Sequence, residues 1–216
     1  LIIGFVGYTE PVTGRHNLLF AQTGDFRDGY FIPSSHPLQM LDFGTDFYAL
    51  QTWGEEDART GFAWLYNWAT QKNVESSYCG EMSLPRRFHL NAQQQLCMTP
   101  VLPPESLVIN QTRLADNERW SSTEVNRACT IAFTPTDAFC LTLSGDNGQE
   151  IVLEFDGKAL TLREKGQDDG RYRAPLASVE DVMVCFDAGI VEVFSNGGSV
   201  CGTRRYYSCS ALTQVH

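Results

Sequence analysis

Apolar and aromatic residues recur along the chain in short runs that are bounded by Gly, Asp and Asn. Such runs are typical of β-strands, whereas an amphipathic helix repeats its apolar positions every three to four residues. Helical spacing of apolar residues is hard to find anywhere in the sequence. The pattern therefore predicts an all-β protein. The predicted strands cover residues 1–8, 17–23, 47–53, 62–68, 82–90, 129–133, 139–144, 151–155, 159–164, 182–186, 190–195 and 199–205.

Two of the predicted strand pairs are joined by residues that favour tight turns. Asp156 and Gly157 separate the strands 151–155 and 159–164. An Asp-Gly pair in this position is a strong signal for a type I′ turn, which needs positive φ at both central residues. Asn196–Gly198 separates two later strands in the same way. The second half of the chain is therefore expected to contain antiparallel hairpins.

A proline-rich stretch, TPVLPP at residues 99–104, divides the sequence. Proline lacks the amide donor that a central strand needs, so this stretch predicts an extended linker. We expect two domains, residues 1–103 and residues 104–216, and the alternating hairpins of the second are those of a β-sandwich. No internal repeat is strong enough to predict a propeller from periodicity alone.

Charge and length narrow the classes of partner. The 216 residues are 43% hydrophobic, which is enough for a proper core, and the formal net charge is −10. Nucleic acids and anionic membrane surfaces need a basic footprint, so neither is expected as a partner, whereas a neutral sugar is compatible. No apolar run reaches the roughly 18 residues of a membrane span.

The seven cysteines are scattered, and none are spaced as C-x-x-C. This pattern indicates neither a zinc site nor a disulfide framework, and it favours reduced, mostly buried thiols in a cytoplasmic protein. The sequon at Asn110–Thr112 would then carry no glycan. The histidines are too dispersed for a metal site, and no cofactor is predicted; they are His16, His36, His89 and His216. Because the chain starts with Leu1 inside a predicted strand, we expect that the natural product is longer.

Four stretches, in order, resemble landmarks of one known family. LDFGTDFYALQ at 41–51 is similar to a D-x-G-x-D-F-Y-A-x-Q segment, and FAWLYNW at 62–68 to a G-W-M-x-N-W strand. YCGEMSLPRRF at 78–88 is similar to W-x-G-x-L-T-L-P-R-E-L, and VCFDAGIVEVF at 184–194, followed by NGG, to a hairpin near the family's C-terminus. The family is glycoside hydrolase family 32, the β-fructosidases that include invertases and sucrose-6-phosphate hydrolases.

The resemblance implies a partial five-bladed β-propeller followed by a β-sandwich. It also implies a truncated relative, because the family's WMNDPNG, RDP and WECP motifs, which carry its nucleophile, a second aspartate and its general acid, do not occur here. Leu1–Gly4 looks like the strand that follows the last of these motifs. Ala63, Tyr78 and Arg87 depart from the family pattern, which puts fine substrate preference in doubt.

Fructoside hydrolysis with retention takes two carboxyl groups about 5–5.5 Å apart. Asp46 is the one carboxylate in a motif that the resemblance places opposite the sugar, and Glu55–Asp57 form a predicted solvated turn. We therefore assign no catalytic residue to this chain. For Asp46 two roles stay open, a contact with the sugar and a structural hydrogen bond.

The resemblance makes Tyr48 and Trp64 the candidate sugar-stacking residues, with simple core packing as the alternative. Alternation along a strand would put Tyr48 on the side of Asp46, opposite Phe47. Trp53 and Trp68 are assigned to the core or the rim. Arg86 is expected to form a structural ion pair within the first domain, and Asp187 and Glu192 are expected to be hairpin or interface residues.

Two functions are carried forward. In the first, the parent protein hydrolyses terminal β-fructofuranosyl bonds of sucrose, sucrose-6-phosphate or fructo-oligosaccharides by a retaining mechanism, and this chain lacks the nucleophile and the acid/base. Its expected partners are a fructoside and either the missing N-terminal half or a second copy of the chain. In the second, the chain is a non-catalytic sugar-binding or structural β module.

Overall fold

A computed structural model describes residues 2–8, 18–55, 59–67, 80–167, 172–206 and 209–216, with the backbone alone at 2–8, 124 and 125. The strands of its first half are Ile2–Tyr8 (β1), Leu18–Arg27 (β2), Tyr30–Pro33 (β3), Gln39–Met40 (β4), Tyr48–Trp53 (β5), Thr60–Leu65 (β6), Glu81–Met82 (β7), Arg86–Leu90 (β8) and Leu96–Pro100 (β9). Those of its second half are Trp120–Asn126 (β10), Ala128–Phe133 (β11), Phe139–Gly145 (β12), Glu150–Phe155 (β13), Ala159–Glu164 (β14), Arg173–Pro175 (β15), Val182–Asp187 (β16), Ile190–Ser195 (β17), Val200–Arg205 (β18) and Leu212–Val215 (β19).

The first nine strands form two small antiparallel sheets, which we call the N-terminal sheets. One has the order β1-β2-β3, with β4 paired to β2, and the other has the order β5-β6-β8-β9, with β7 paired to β6. Each strand in these orders neighbours one that is close in sequence, so local hairpins build both sheets.

The last ten strands form a six-stranded and a four-stranded sheet that face each other as a β-sandwich. Their orders are β10-β19-β12-β13-β14-β15 and β11-β16-β17-β18. Alternate residues of both sheets point into one shared core; they include Leu141, Leu143, Ile151, Leu153, Leu160, Leu162, Val182, Val184, Phe186, Val191, Val193 and Leu212.

A second core joins the N-terminal sheets to the outer face of the β16-β17-β18 sheet. It combines residues of both halves, namely Leu19, Ala21, Leu41, Phe47, Ala63, Leu65, Phe88, Leu96 and Met98 with Cys185, Phe194 and Cys201. Strand β17 is therefore buried on both faces. Val191 and Val193 point into the sandwich, while Glu192 and Phe194 point toward the N-terminal sheets.

The all-β prediction is confirmed. In the described part of the chain the helical structure consists of two single 3-10 turns, Glu105–Leu107 and Asn196–Gly198. No helix there is long and apolar enough to cross a membrane. Sequence patterning missed six strands, which are β3, β4, β9, β10, β15 and β19, and it merged β7 and β8 into one.

The turn at Asp156 is a hairpin of a different type from the one predicted. Gly157 has φ of 84°, but Asp156 has no positive φ, so the expectation of positive φ at both residues is wrong. The Asp156 carboxylate instead accepts hydrogen bonds from the amides of Ala159 and Lys158, both at 2.8 Å. These amides lower the pKa of Asp156. Hydrogen bonds to the Asp156 side chain thus stabilise the turn, which does not need positive φ at both central residues.

The linker after β9 is exposed and lacks strands from Val101 to Arg119. The strands before and after it pair only within their own half. The exact domain boundary, 1–103 against 104–216, stays a prediction.

Candidate functional site

A row of aromatic side chains covers one face of the β5–β6 hairpin. Tyr48 and Trp64 are cross-strand partners with ring centroids 6.2 Å apart. Trp64 also stacks on Tyr66 at 4.5 Å with an interplanar angle of 6°. Further along the hairpin, Trp53 meets Phe62 edge to face at 5.0 Å.

Alternation along β6 explains why this face is aromatic. Gly61, Ala63 and Leu65 are buried, whereas the residues between them, Phe62 and Trp64, are partly exposed. The buried face belongs to the second core, so the aromatic face is the side that is left for a ligand or a neighbour. Tyr48 and Trp64 are therefore brought together on one partly exposed face.

The strand β5 has an irregularity directly after Tyr48. Its pairing register with β6 shifts between Tyr48 and Gln51, and Ala49 has φ of 48°. A left-handed conformation at a residue with a Cβ costs about 1–2 kcal/mol. Such a bulge re-aims a side chain, and here it sets the direction of Tyr48 apart from the regular ladder.

Three of the stretches that resemble the family lie in the first half of the chain. We call 41–51 the first motif, 62–68 the second and 78–88 the third, and all three meet at Trp64. Gly80, with φ of 76°, lies so close to the indole that a Cβ at this position would fall 2.0 Å from Nε1 of Trp64. The buried Asn67 amide donates to the carbonyl of Thr45 at 2.9 Å, which joins the second motif to the first. Sequence reasoning did not single out Tyr66, Asn67 and Gly80; the i, i+2 spacing of Tyr66 from Trp64 was the one available signal.

Asp46 is buried on the side of the sandwich, with 2% of its surface exposed. Its Oδ2 accepts from the Thr45 hydroxyl and from the Arg205 amide, the latter at 2.9 Å, and its own amide donates to the Thr203 carbonyl at 3.2 Å. These contacts belong to the structural alternative for this residue. Burial raises the pKa of Asp46 against the opposing effect of these hydrogen bonds. Phe47 is in the second core, and the regular strand starts only at Tyr48.

A buried ion network lies directly behind this segment. The guanidinium of Arg86 is fully buried and donates to Glu192 Oε2 at 2.7 Å and to the Thr203 hydroxyl at 2.6 Å. It also lies 3.4 Å from Asp42 Oδ2, and Asp42 accepts from the Thr203 hydroxyl at 2.7 Å. The predicted structural ion pair of Arg86 with a carboxylate of the first half is confirmed, and the sandwich carboxylate Glu192 is added to it.

Burial and charge act against each other in this network. Burial would lower the pKa of Arg86, but the nearby carboxylates, Glu192 first, outweigh it and raise that pKa above its ordinary value. Burial raises the pKa of Glu192, and Arg86 opposes that rise. The network is thus held by mutual attraction in a site that water does not reach.

Backbone contacts press the segment 41–47 against β18. The Phe43 amide donates to the Cys201 carbonyl at 2.8 Å, and a Cβ on Gly44 would lie 2.0 Å from the Thr203 carbonyl oxygen. This close approach explains the glycine of the first motif. A second ion pair, between Arg205 and Glu81, ties β18 to the third motif.

Other residues named from sequence take no part in this arrangement. Glu55, Asp187, His36, His89 and His216 are exposed. Within the described ranges no group of three His, Cys, Asp or Glu side chains could hold a metal ion. Several named residues lie outside the described ranges, namely His16, Glu56, Asp57, Trp68 and Tyr78.

Comparison with known proteins matches the first half of the chain to a family model. Residues 6–100 match the glycosyl hydrolases family 32 N-terminal domain. Among curated proteins, the chain is 30% identical over 156 residues to invertase 2 of Saccharomyces cerevisiae, covering 68% of this chain and 26% of the invertase. It is 29% identical over 177 residues to a sucrose-6-phosphate hydrolase of Vibrio alginolyticus, covering 77% of this chain and 36% of that enzyme.

Solved structures share the fold at lower identity. A glycoside hydrolase family 32 structure from Bifidobacterium adolescentis superimposes with a TM-score of 0.79 and 22% identity, covering 99% of this chain and 36% of its own. A fructofuranosidase of Schwanniomyces occidentalis, solved with fructose, gives 0.72 and 19%, covering 99% of this chain and 52% of its own. The chain spans 26% and 36% of the two curated relatives named above. The family model, the curated relatives and the convergence of three motifs on Trp64 agree, and the chain belongs to glycoside hydrolase family 32.

Proposed function

We propose that this chain is part of a β-fructofuranosidase that hydrolyses terminal β-fructofuranosyl bonds of sucrose, sucrose-6-phosphate or fructo-oligosaccharides. The N-terminal sheets would then be the last blades of a five-bladed propeller, and the sandwich would follow it. The observation that carries the proposal is the partly exposed pair Tyr48 and Trp64, set side by side on β5 and β6. The printed names of the curated relatives, an invertase and a sucrose-6-phosphate hydrolase, support the substrate class.

In this proposal Tyr48 and Trp64 form one wall of the fructose site. Aromatic rings present flat apolar faces that pack against the C–H faces of a sugar, while the hydroxyls at the ring edge keep polar partners. Trp64 is held from one side by Tyr66 and from another by Gly80, so its ring is fixed before a sugar arrives. A preorganised wall binds with less loss of side-chain entropy.

The chemistry itself needs a nucleophile and an acid, and among the residues that the structure describes no carboxylate near the aromatic row offers either. Asp46 is buried and accepts two hydrogen bonds, and Glu81 pairs with Arg205. Neither carboxylate is poised to attack a sugar or to deliver a proton to a leaving oxygen. We therefore propose that both reacting groups belong to a part of the parent protein outside this sequence.

A titration of the purified chain tests the binding wall. We expect fructose and sucrose to shift the indole N–H resonance of Trp64 in a proton–nitrogen correlation spectrum, assigned by its loss in Trp64→Phe. Tyr48→Ala should weaken the affinity by at least about fivefold, which corresponds to about 1 kcal/mol of lost stacking. Trp53→Phe is the matched control. Trp53 lies on β5 like Tyr48 but further along the hairpin, so its substitution should leave the affinity unchanged. An unmoved Trp64 resonance at saturating sugar would disprove the binding wall.

An activity assay tests the division of labour. The chain alone should release no fructose from sucrose or sucrose-6-phosphate, because general acid catalysis contributes about 10²–10⁴-fold and the nucleophile provides the covalent route itself. Addition of an N-terminal half that carries the WMNDPNG, RDP and WECP motifs should restore part of the activity. Turnover by a monomeric preparation of this chain, with its mass confirmed by light scattering, would contradict the proposal.

A non-catalytic sugar-binding module is the second candidate, and the engagement of Asp46 and Glu81 in structural contacts favours it as much as the first. The two candidates differ in what the N-terminal half does. If sugar shifts the Trp64 resonance but the N-terminal half neither binds the chain nor restores turnover, the binding module is the correct function.

We also propose that the protein works in a reducing compartment such as the cytoplasm. The six cysteines in the described ranges are all free thiols, and four of them are buried. Cell fractionation followed by detection of the chain tests this, and recovery from the secreted fraction would contradict it.

A further inference from the structure

Glu192 is a buried carboxylate of the sandwich that contacts the N-terminal sheets. It lies on β17, faces away from the sandwich core and is 2% exposed. Its Oε1 accepts from the Leu84 amide at 2.6 Å and its Oε2 accepts from Arg86 at 2.7 Å. Both carboxylate oxygens therefore hold the third motif of the N-terminal sheets.

Arg86 passes this contact on to the segment before Tyr48. Its guanidinium carbon lies 4.2 Å from the ring centroid of Phe47 and 4.9 Å from that of Phe194, so the cation contacts one aromatic ring of each half. A desolvated cation gains from the quadrupole of each ring that it contacts. Glu192 is thus connected to Tyr48 through two intermediate groups, the guanidinium of Arg86 and the ring of Phe47.

The β-ladder does not fix Tyr48 by itself. Tyr48 is the first residue of β5, and the register is already broken before Gln51. A side chain at such a position takes its direction from the backbone that precedes it. That backbone is anchored by the Phe47 ring on Arg86 and by the Asp46 amide on Thr203.

Energetics favours a geometric role for this network over a purely stabilising one. Replacing a buried ion pair by apolar residues of similar volume is often neutral or stabilising, because desolvation offsets the attraction. The Nε of Arg86 is buried without a hydrogen-bond partner, so the network is not optimised for stability alone. The pair does restrict orientation, because the planar guanidinium can donate its hydrogen bonds in only a few directions.

We propose that Glu192 and Arg86 are positioning residues through which the sandwich sets the sugar-facing orientation of Tyr48 against Trp64. This inference rests on the proposed function, because that function gives Tyr48 and Trp64 their role in binding sugar. The orientation of Tyr48 and Trp64 can nevertheless be measured without sugar, so the proposed function and the positioning role can fail separately. Glu192 and Arg86 touch no substrate in this scheme.

The test compares three variants of the full chain. Glu192→Gln keeps the shape and the acceptor for the Leu84 amide but removes the charge that faces Arg86. The double variant Arg86→Met/Glu192→Met removes both charges and keeps most of the buried volume, in case the single change does not fold. Glu154→Gln is the matched control, because Glu154 pairs with Arg163 at 3.3 Å at the sandwich surface.

Two readouts separate positioning from stability. In Glu192→Gln and in the double variant, we expect the Trp64 indole resonance to shift or broaden in the absence of sugar and the affinity for fructose to fall about fivefold or more. Glu154→Gln should change neither. A lower melting temperature with an unchanged Trp64 resonance would mean that the network is structural only, and so would failure of both variants to fold; either result overturns the proposal. If sugar never moves the Trp64 resonance of the unchanged chain, the proposed function fails while the resonance shift of Glu192→Gln still decides the positioning role.

Discussion

Single residues in the segment 41–47 are constrained by the strand they touch, β18. Gly44 has no room for a side chain because the Thr203 carbonyl oxygen occupies the place of its Cβ. Asp42 accepts from the Gly44 amide at 2.9 Å and from the Thr203 amide at 2.7 Å, so the turn around Gly44 is shaped by one carboxylate. The D-x-G spacing of the first motif is therefore explained by a contact between the two halves of the molecule.

Gly44→Ala should destabilise the protein by about 1–3 kcal/mol, because the added methyl forces the segment off β18. Hydrogen exchange should show the reason, with faster exchange of the Phe43 and Asp46 amides that donate to β18. Gly166→Ala is the control, since its added Cβ meets nothing within 4 Å and strains only the backbone at φ of 79°. Equal protection of the two amides in both variants would contradict the steric explanation.

Asp46 should make stability depend on pH with the sign opposite to that of most carboxylates. Its folded-state pKa is raised above the ordinary 3.8, so its contribution is fully present below that value and is lost as pH rises through the folded pKa. Asp46→Asn should therefore flatten the fall of the unfolding free energy that accompanies a rise of pH above 3.8. Glu192, whose pKa is also raised, keeps part of the slope.

Asp156→Asn provides the control of opposite sign. The pKa of Asp156 is lowered, so its contribution is present above the ordinary value and is lost as pH falls. Denaturant melts of the three proteins on both sides of pH 3.8 give the measurement, since the effect of Asp46 lies above this pH and that of Asp156 below it. A slope in Asp46→Asn identical to that of the unchanged chain would mean that Asp46 does not titrate in this range.

Sequence could identify these residues but not assign their roles. The motif made Asp46, Tyr48 and Trp64 candidates, and Tyr48 and Trp64 are indeed neighbours. The two roles of Asp46 could not be separated, because the regular strand begins only at Tyr48 and alternation has no force before it. The partner that occupies its carboxylate, the Arg205 amide, is 159 residues away and leaves no local signal.

Strand β5 shows at the element scale how a local irregularity serves a site. Ala49 sits in the left-handed region at a position where its neighbours pair with β6 out of register. Neither feature is visible in the sequence, since YALQTW reads as an ordinary strand. Strand β17 is the opposite case. Its run IVEVFS contains a glutamate because both of its faces are buried and one of them needs a partner for Arg86.

Ala49→Gly should stabilise the fold by about 1 kcal/mol, because glycine adopts positive φ without the clash of a Cβ. The gain should appear as a higher denaturant midpoint with an unchanged m-value. Ala132→Gly is a suitable control, because Ala132 lies in the regular strand β11, where glycine costs stability. Destabilisation by both changes would show that Ala49 is not strained.

The short apolar runs and the turn residues between them, by contrast, were sufficient to predict the hairpins of the sandwich. The pairs β12–β13, β13–β14 and β16–β17 are regular antiparallel ladders without a shift. The strands that patterning missed are short or pair with distant parts of the chain, as do β10 and β19, the first and the last strand of the sandwich in sequence. Their pairing depends on distant partners, and a local window contains no such partner.

At the scale of the whole molecule, the two halves share a core, and the thiols report on its integrity. Burial raises the pKa of Cys185 and Cys201 to about 12 each and that of Cys129 and Cys209 to about 11 each. Thiolates are the reactive form, so these groups are inert while the fold is closed. Cys140 is exposed on the sandwich surface.

Alkylation of the native chain at about pH 8, read by peptide mass spectrometry, should therefore label Cys140 first among the six cysteines that the structure describes. Cys185 and Cys201, which lie in the second core on the face of the sandwich that the N-terminal sheets cover, should react only as fast as the molecule opens. The denatured chain, in which all thiols react alike, is the control. Labelling of Cys201 as fast as Cys140 would mean that the N-terminal sheets are not packed on the sandwich.

The tie between Asp42 and Thr203 also has a consequence for how the protein is made. The two residues are 161 positions apart, and at about 5–20 residues per second a ribosome needs roughly 8–30 s to reach the second after the first. During that time Arg86 and the apolar face around Phe47 are not yet covered by β18. The nascent N-terminal sheets are thus open to misassociation until Thr203 has been synthesised, which is the interval in which a chaperone that binds apolar surface would protect them.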